Sequence, residues 1–390
     1  MSEPLKQMPI GVTDFRLIRE KNYLYVDKTE LLYHLCQGPW SYFLSRPRGF
    51  GKTLLVDTLE HILRGHRELF KGLWIDGSDY DWSPNPVIRL SLNDLDSKSP
   101  KAVKSGLITA LNSIAEKEAL TLNGSNPSEV FKSIFDELYA KYNRNVAVLI
   151  DEYVAPITNQ IENLKLADDI RKTLNTFYDV LKAKDNQRGF TLLTGESRFS
   201  PSTFDSALNN IFDLTFFEEY AAICGFTLQE FDKLFPENME NMLKIMISQG
   251  SMSPDATVSD LRQLFLDWYD GYSWDGQRRL LNPWSIIKAF DNNRFDYYWI
   301  QSDGMPSFLV KQLKTSVFRD LKSFKAKESI TENTNVLELD KSLEPLPILF
   351  QSGYLTVDWV DEKTGSAEYF LKLPNLEVRQ GIDKLILGLE

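Results

Sequence analysis

Between an apolar run at 41–44 and an amphipathic stretch carrying Leu54, Leu55, Leu59 and Ile62, the chain reads Ser45-Arg46-Pro47-Arg48-Gly49-Phe50-Gly51-Lys52-Thr53. A strand, a Gly-rich turn and a helix in that order leave few folds open. Glycines let successive N–H groups turn inward onto an anion, and the helix N-terminus adds its partial positive charge. Lys52 is then the cation for the β- and γ-phosphates, and the Thr53 hydroxyl is an Mg²⁺ ligand. Arg46, Arg48, Gly49, Phe50, Gly51 and Leu54 complete the expected nucleotide contacts. The match to G-x-x-x-x-G-K-[ST] is incomplete, because Arg46 stands at the first glycine and Pro47 has no N–H to donate. A Gly-rich turn with a lone lysine is the plainer alternative.

A second element answers the first. Val146-Ala147-Val148-Leu149-Ile150 is a continuous apolar run, the signature of a parallel strand covered on both faces, and it ends in Asp151-Glu152. Asp151 suits the Mg²⁺ shell and Glu152 the activation of an attacking water. Two acids at that place also suit a helix cap, but their pairing with Gly51-Lys52-Thr53 favours the catalytic reading. The next strand, Phe190–Leu193, runs into Thr194-Gly195-Glu196-Ser197-Arg198. In a phosphate-binding sheet with an inserted strand it lies between the first and third, its tip facing the γ-phosphate. Thr194 or Ser197 is the candidate polar sensor there. Arg198 is either a cation for the transferred charge or an ordinary surface ion pair.

Strands alternating with helices place residues 1–225 in the α/β class, as a phosphate-binding-loop NTPase domain with a parallel sheet. Val87–Leu92 reads as a strand, 99–120, 128–142 and 159–184 as helices, and 212–217 as a further strand. Helical patterns dominate 226–327, read as a lid domain with aromatic turns at 268–272 and 282–285. In 328–390 two alternating runs, 354–360 and 368–373, flank Asp361-Glu362-Lys363-Thr364-Gly365, a hairpin signal with Gly365 suited to positive φ. Helices before that hairpin make the last unit winged-helix-like.

The chain has 390 residues, 43% of them hydrophobic and 25% charged, enough for a core of two or three domains without metal or disulfide support. Its two cysteines, Cys36 and Cys224, stand in no metal spacing. A formal charge of -11 argues against wrapping duplex DNA along the whole length. No membrane-spanning run or signal-peptide core is seen, so the cytoplasm is the expected compartment.

Together these segments resemble the AAA-ATPase-like family of predicted AAA ATPases. The likeness runs in order through Met8-Pro9-Ile10-Gly11-Val12-Thr13-Asp14-Phe15, Tyr25-Val26-Asp27-Lys28-Thr29-Glu30, the loop, and Leu149–Tyr153. It continues through Thr194-Gly195 with Arg198-Phe199, Cys224–Thr227, Trp268–Tyr272, Asn282-Pro283-Trp284, Tyr298-Trp299, Gly353–Thr356 and Pro374–Arg379. The resemblance implies that an Arg-Pro-Arg approach to the loop is usual. It also marks two departures, Gly49 and Val154, where the family reads arginine and aspartate. Relatives commonly continue into a PD-(D/E)XK nuclease. No Asp followed on a neighbouring strand by Glu-x-Lys occurs here, so no nuclease activity is expected of these residues.

The expected function is therefore Mg²⁺-dependent ATP binding and hydrolysis, in a nucleic-acid-linked or defence-type process by association with the relatives' nuclease. The alternative is an ATP-gated interaction switch with little turnover, against which Glu152 weighs. Lys311, Lys314, Arg319, Lys322, Lys325 and Lys327 lie on a helical pattern with the single acid Asp320. That stretch is either a phosphate-backbone patch for DNA or RNA or a solvated face. A homo-oligomer is a further expected partner.

Overall fold

The computed structural model describes residues 6–38, 41–198, 208, 210–303, 328–332, 334, 345–363 and 366–387. The basic stretch 311–327, Gly365 and the hairpin turn lie outside these. At the centre is a five-stranded sheet in the order β2-β3-β4-β1-β5, every pairing parallel. Its strands are β1 (Ser41–Ser45), β2 (Val87–Ser91), β3 (Val146–Asp151), β4 (Arg188–Gly195) and β5 (Phe212–Asp213). As expected, β4 is inserted between β1 and β3. All six residues of β3 are buried, which is why that strand reads as an unbroken apolar run. The 212–217 run keeps only its first two residues as strand.

Helices α1 (Phe15–Glu20), α2 (Thr29–Gln37), α3 (Lys52–Leu63), α4 (Pro100–Lys117), α5 (Pro127–Tyr142), α6 (Ala155–Thr158) and α7 (Leu164–Ala183) accompany the sheet. Their starts are chemically marked. Ser99 and Asn126 accept from the N–H three residues on, each followed by proline at the first helical position. The long helix starts at Leu164 rather than 159, because the Asn163 side chain caps it by accepting from Leu166 N–H. Such a cap contributes about 1 kcal/mol.

Beyond residue 225, α8 (Leu228–Leu234), α9 (Pro236–Ser248), α10 (Val258–Tyr269), α11 (Pro283–Asn292) and α12 (Tyr298–Asp303) follow. Phe231, Phe235, Phe265 and Phe290 pack there in ring contact. Leu24 and Val26 of the N-terminal segment join the same apolar cluster. Capping boxes at Thr227/Glu230 and Thr257/Asp260 begin α8 and α10. A short antiparallel pair, β6 (Phe226–Thr227) with β7 (Leu280–Leu281), ties the ends of this region together.

The last region forms the expected hairpin, β9 (Thr356–Lys363) with β10 (Ser366–Lys372), and β8 (Ser329–Ile330) adds a third antiparallel strand. Helices Pro345–Gln351 and Leu376–Leu387 flank it. Val357, Leu371 and Val378 belong to the same apolar cluster as the strands of the main sheet. Apolar packing therefore crosses the segment boundaries read from the sequence.

Candidate nucleotide site

The site grows from the carboxyl ends of β1, β3 and β4, where an open α/β sheet places its ligands. Register sets the three tips side by side: Ser45 pairs with Gly195, Leu44 with Thr194, and Ile150 with Leu193. After β1 the chain turns through Gly49 and Gly51, with φ of +76° and +91°. An L side chain rarely adopts either value, so the glycines have a backbone reason. A Cβ at Gly51 would meet no atom within 4 Å. The loop therefore leaves open space at the N-terminus of α3, where unpaired N–H groups and the helix dipole favour an anion.

Lys52 opens α3 with its side chain 5% exposed. Its Nζ lies 3.1 Å from Glu152 Oε1 and donates to the Arg46 and Pro47 carbonyls at 2.9 and 3.3 Å. Burial alone would lower its pKa; the charges of Glu152, Glu196 and Asp151 outweigh that and raise it, so the ammonium is secure at neutral pH. Thr53 Oγ1 donates to Asp151 Oδ2 at 2.7 Å, and Thr194 Oγ1 donates to Asp151 Oδ1. Lys52-Thr53, Asp151-Glu152 and Thr194, three places separate in sequence, thus meet. Glu152 has φ of +53°, a left-handed conformation unfavourable for a glutamate. The turn is held by Tyr153 N–H to the Thr194 carbonyl at 3.0 Å and Tyr178 Oη–H to the Tyr153 carbonyl at 2.6 Å.

A cavity of about 530 Å³ opens over this cluster. Arg48, Gly49, Phe50, Gly51, Lys52, Thr53 and Leu54 line it, as do Asp151 and Glu152. Part of its wall is apolar. Pro9, Val12, Leu24 and Val26 come from the N-terminal segment, and Pro283, Trp284 and Ile287 from the helical region. Trp284, from the aromatic turn at 282–285, stands at the cavity wall and is only partly buried. Trp268 packs in the helical cluster instead.

Four expected residues do not line the cavity: Thr194 is fully buried behind Asp151, and the other three take places elsewhere. Arg46 is fully buried and does not line the cavity. Its guanidinium donates to the carbonyls of Ser45, Thr215 and Tyr220 at 2.8, 3.0 and 3.2 Å and stacks 4.2 Å from the Trp274 ring centroid. Burial lowers its pKa to about 10, which still leaves it charged. Arg198 pairs with Asp213 at 2.5 Å and donates to the Glu332 carbonyl, also away from the cavity wall. Ser197 does not line the cavity either. The residue sequence reading passed over is Glu196. It lines the cavity and accepts from Arg48 Nε.

Downstream segments clasp the loop at every residue from 46 to 50. Trp274 covers Arg46, and Pro47 lies against Gly353, where a Cβ would come within 2.8 Å of it. Trp299 Nε1 donates to the Arg48 carbonyl at 3.0 Å, and Trp284 N–H to the Gly49 carbonyl at 3.3 Å. Phe50 packs edge-on against Tyr272, centroids 4.8 Å apart. Gly49 has no room to spare: an added Cβ would stand 3.0 Å from Trp284 Cβ.

Glu377 holds two of these clasps. Fully buried, it accepts from Trp299 N–H at 2.8 Å and from Ser285 Oγ–H at 2.8 Å. Burial pushes its pKa up to about 8, against the lowering effect of those two hydrogen bonds. A carboxyl whose folded pKa exceeds its unfolded value makes the fold bind more protons than the open chain. Its stabilisation is full below the unfolded value of about 4.3 and falls as pH rises toward 8. Thermal melting is expected to drop between pH 6 and pH 8.5, and Glu377→Gln is expected to flatten that slope.

Compared with known proteins, residues 9–204 match the family described as "Predicted AAA-ATPase". A protein of Azotobacter chroococcum mcd 1, described as an uncharacterized protein in the vnfD 5'region, is 32% identical over 387 residues, covering 98% of this chain and 70% of that protein. The chain belongs to the predicted AAA-ATPase family. Among the described residues no helix is long and apolar enough to cross a membrane.

Proposed function

We propose that the chain binds Mg-ATP in this cavity and hydrolyses it. The observation that carries the proposal is the meeting of Lys52, Thr53, Asp151 and Glu152 beneath an open Gly-rich turn. The donor set fits the groups it would take. Thr53 and Asp151 converge as hard oxygen ligands suited to Mg²⁺, which when bound would neutralise charge on the phosphates. The ring of carboxylates would repel a bare triphosphate, and Lys52 with the N–H groups at the start of α3 offsets that. The apolar part of the wall, with Trp284, suits a nucleobase.

In hydrolysis, Glu152 orients a water and accepts its proton as the water oxygen bonds to the γ-phosphorus. The bond from that phosphorus to the bridging oxygen breaks, its electron pair stays on ADP, and the proton passes on to the phosphate released. Thr194 keeps Asp151 in place from the opposite side. Calorimetric titration of the wild type with Mg-ATP is expected to show one site per chain. Titration without heat of binding would sink the assignment.

The division at 225 and 327, with a lid and a winged-helix-like unit around the hairpin, is part of the same reading. Nucleic acid is proposed as a partner from the charge of 311–327 alone. Binding to DNA is expected to weaken steeply with salt and to fall further in Lys314→Glu/Lys322→Glu. Equal salt-titration curves for the two proteins would remove that patch from consideration.

A further inference from the structure

Phosphoryl transfer gains most from a cation placed on the γ-phosphate as charge redistributes, and many NTPases obtain that arginine from another subunit. In this chain the loop itself carries one. Arg48 stands within the phosphate-binding turn, lines the cavity, and has a side chain 48% exposed. Its backbone is fixed by the Trp299 indole. Its guanidinium meets Glu196, which follows Gly195 at the tip of β4. That tip lies between β1 and β3, the side of the sheet facing the γ-phosphate. Glu196 is also close enough to Lys52 and Glu152 to feel both charges. Through Glu196 the Arg48 guanidinium is therefore tied to the Lys52–Glu152 cluster, where the phosphates would lie. Arg198 is engaged by Asp213 and Glu332.

We infer, resting on the ATPase reading above, that Arg48 is a catalytic arginine supplied in cis and that Glu196 is its positioning residue. Arg48 leaves Glu196 for the γ-phosphate oxygens as the bond to the bridging oxygen breaks. Glu196 restrains the guanidinium beforehand, so less orientational freedom is lost at that moment. A single chain then carries a complete site, without an arginine from a second copy.

The test compares affinity for Mg-ADP with affinity for Mg-ADP plus aluminium fluoride, which mimics the transferred phosphoryl group, and measures turnover alongside. Arg48→Ala is expected to bind ADP within about 3-fold of wild type while losing the added tightening from aluminium fluoride by ~10²-fold or more, with kcat falling in step. Arg48→Lys restores part of both. In Glu196→Gln kcat falls more than KM changes, because charge remains while orientation is lost. Wild-type turnover per chain stays constant as protein is diluted. Three results would overturn the inference. One is Arg48→Ala with wild-type tightening and turnover. Another is an equal loss for ADP with and without aluminium fluoride, which marks a structural role. The third is turnover per chain that rises with protein concentration and ignores Arg48→Ala. A wild type that binds neither nucleotide would overturn the ATPase reading, and the inference with it.

Discussion

Lys52→Ala is expected to weaken Mg-ATP binding by at least ~30-fold, and by several thousand-fold at the upper end of what removing one partner of a buried charge pair costs, about 2–5 kcal/mol. Two effects add. The phosphates lose the ammonium at the start of α3, and Asp151, Glu152 and Glu196 lose the charge that balances them. What remains is a cavity of net negative potential facing a polyanion. Calorimetry reads the loss directly. Wild-type affinity in this variant would mean that nucleotide, if bound, sits elsewhere.

Glu152→Gln separates binding from chemistry. The amide keeps the volume and can still hydrogen-bond, but it has no charge to accept the water's proton. Turnover is expected to fall by ~10²–10⁴-fold, the usual loss for a missing general base. ATP binding is retained or tightened, since a negative charge near the phosphates is gone. The φ of +53° at residue 152 is strained backbone for a glutamate. Glu152→Gly relieves the backbone by about 1–3 kcal/mol but strips the buried Lys52 ammonium of its ion-pair partner, so it is expected to lose turnover with no gain in thermal stability. A rapid Glu152→Gln variant would show that another group activates the water. Glu196 is the neighbouring carboxylate on the cavity wall.

Much of the candidate site's geometry could be read from the chain because its parts are local. A doubly covered parallel strand writes itself as five apolar residues in a row at 146–150, and a glycine turn into a helix fixes where an anion goes. The inserted position of β4 was expected only on the premise of a phosphate-binding sheet with an inserted strand, and the strand order agrees. What escaped depends on distant partners. Arg46 occupies a loop-motif position, yet its side chain turns inward to the carbonyls of Thr215 and Tyr220. Backbone carbonyls leave no mark in a sequence. Glu196 looks like any acid after a strand until Arg48, 148 residues earlier, is brought onto it. Apolar parts of the cavity wall come from Pro9 and Val12 of the N-terminal segment and from Trp284. Neither stretch has a periodicity that announces a cavity wall. The clasp of Trp274, Trp284, Trp299 and Gly353 on residues 46–50 was visible only as scattered aromatic turns. Its order in space is set by tertiary packing.

The most direct test of the account is release of inorganic phosphate from ATP by the purified wild-type chain, followed in time with and without Mg²⁺ and repeated with Lys52→Ala. Multiple turnovers that require Mg²⁺ and disappear in the variant are expected. No release by the wild type, or release undiminished by Lys52→Ala, would contradict it.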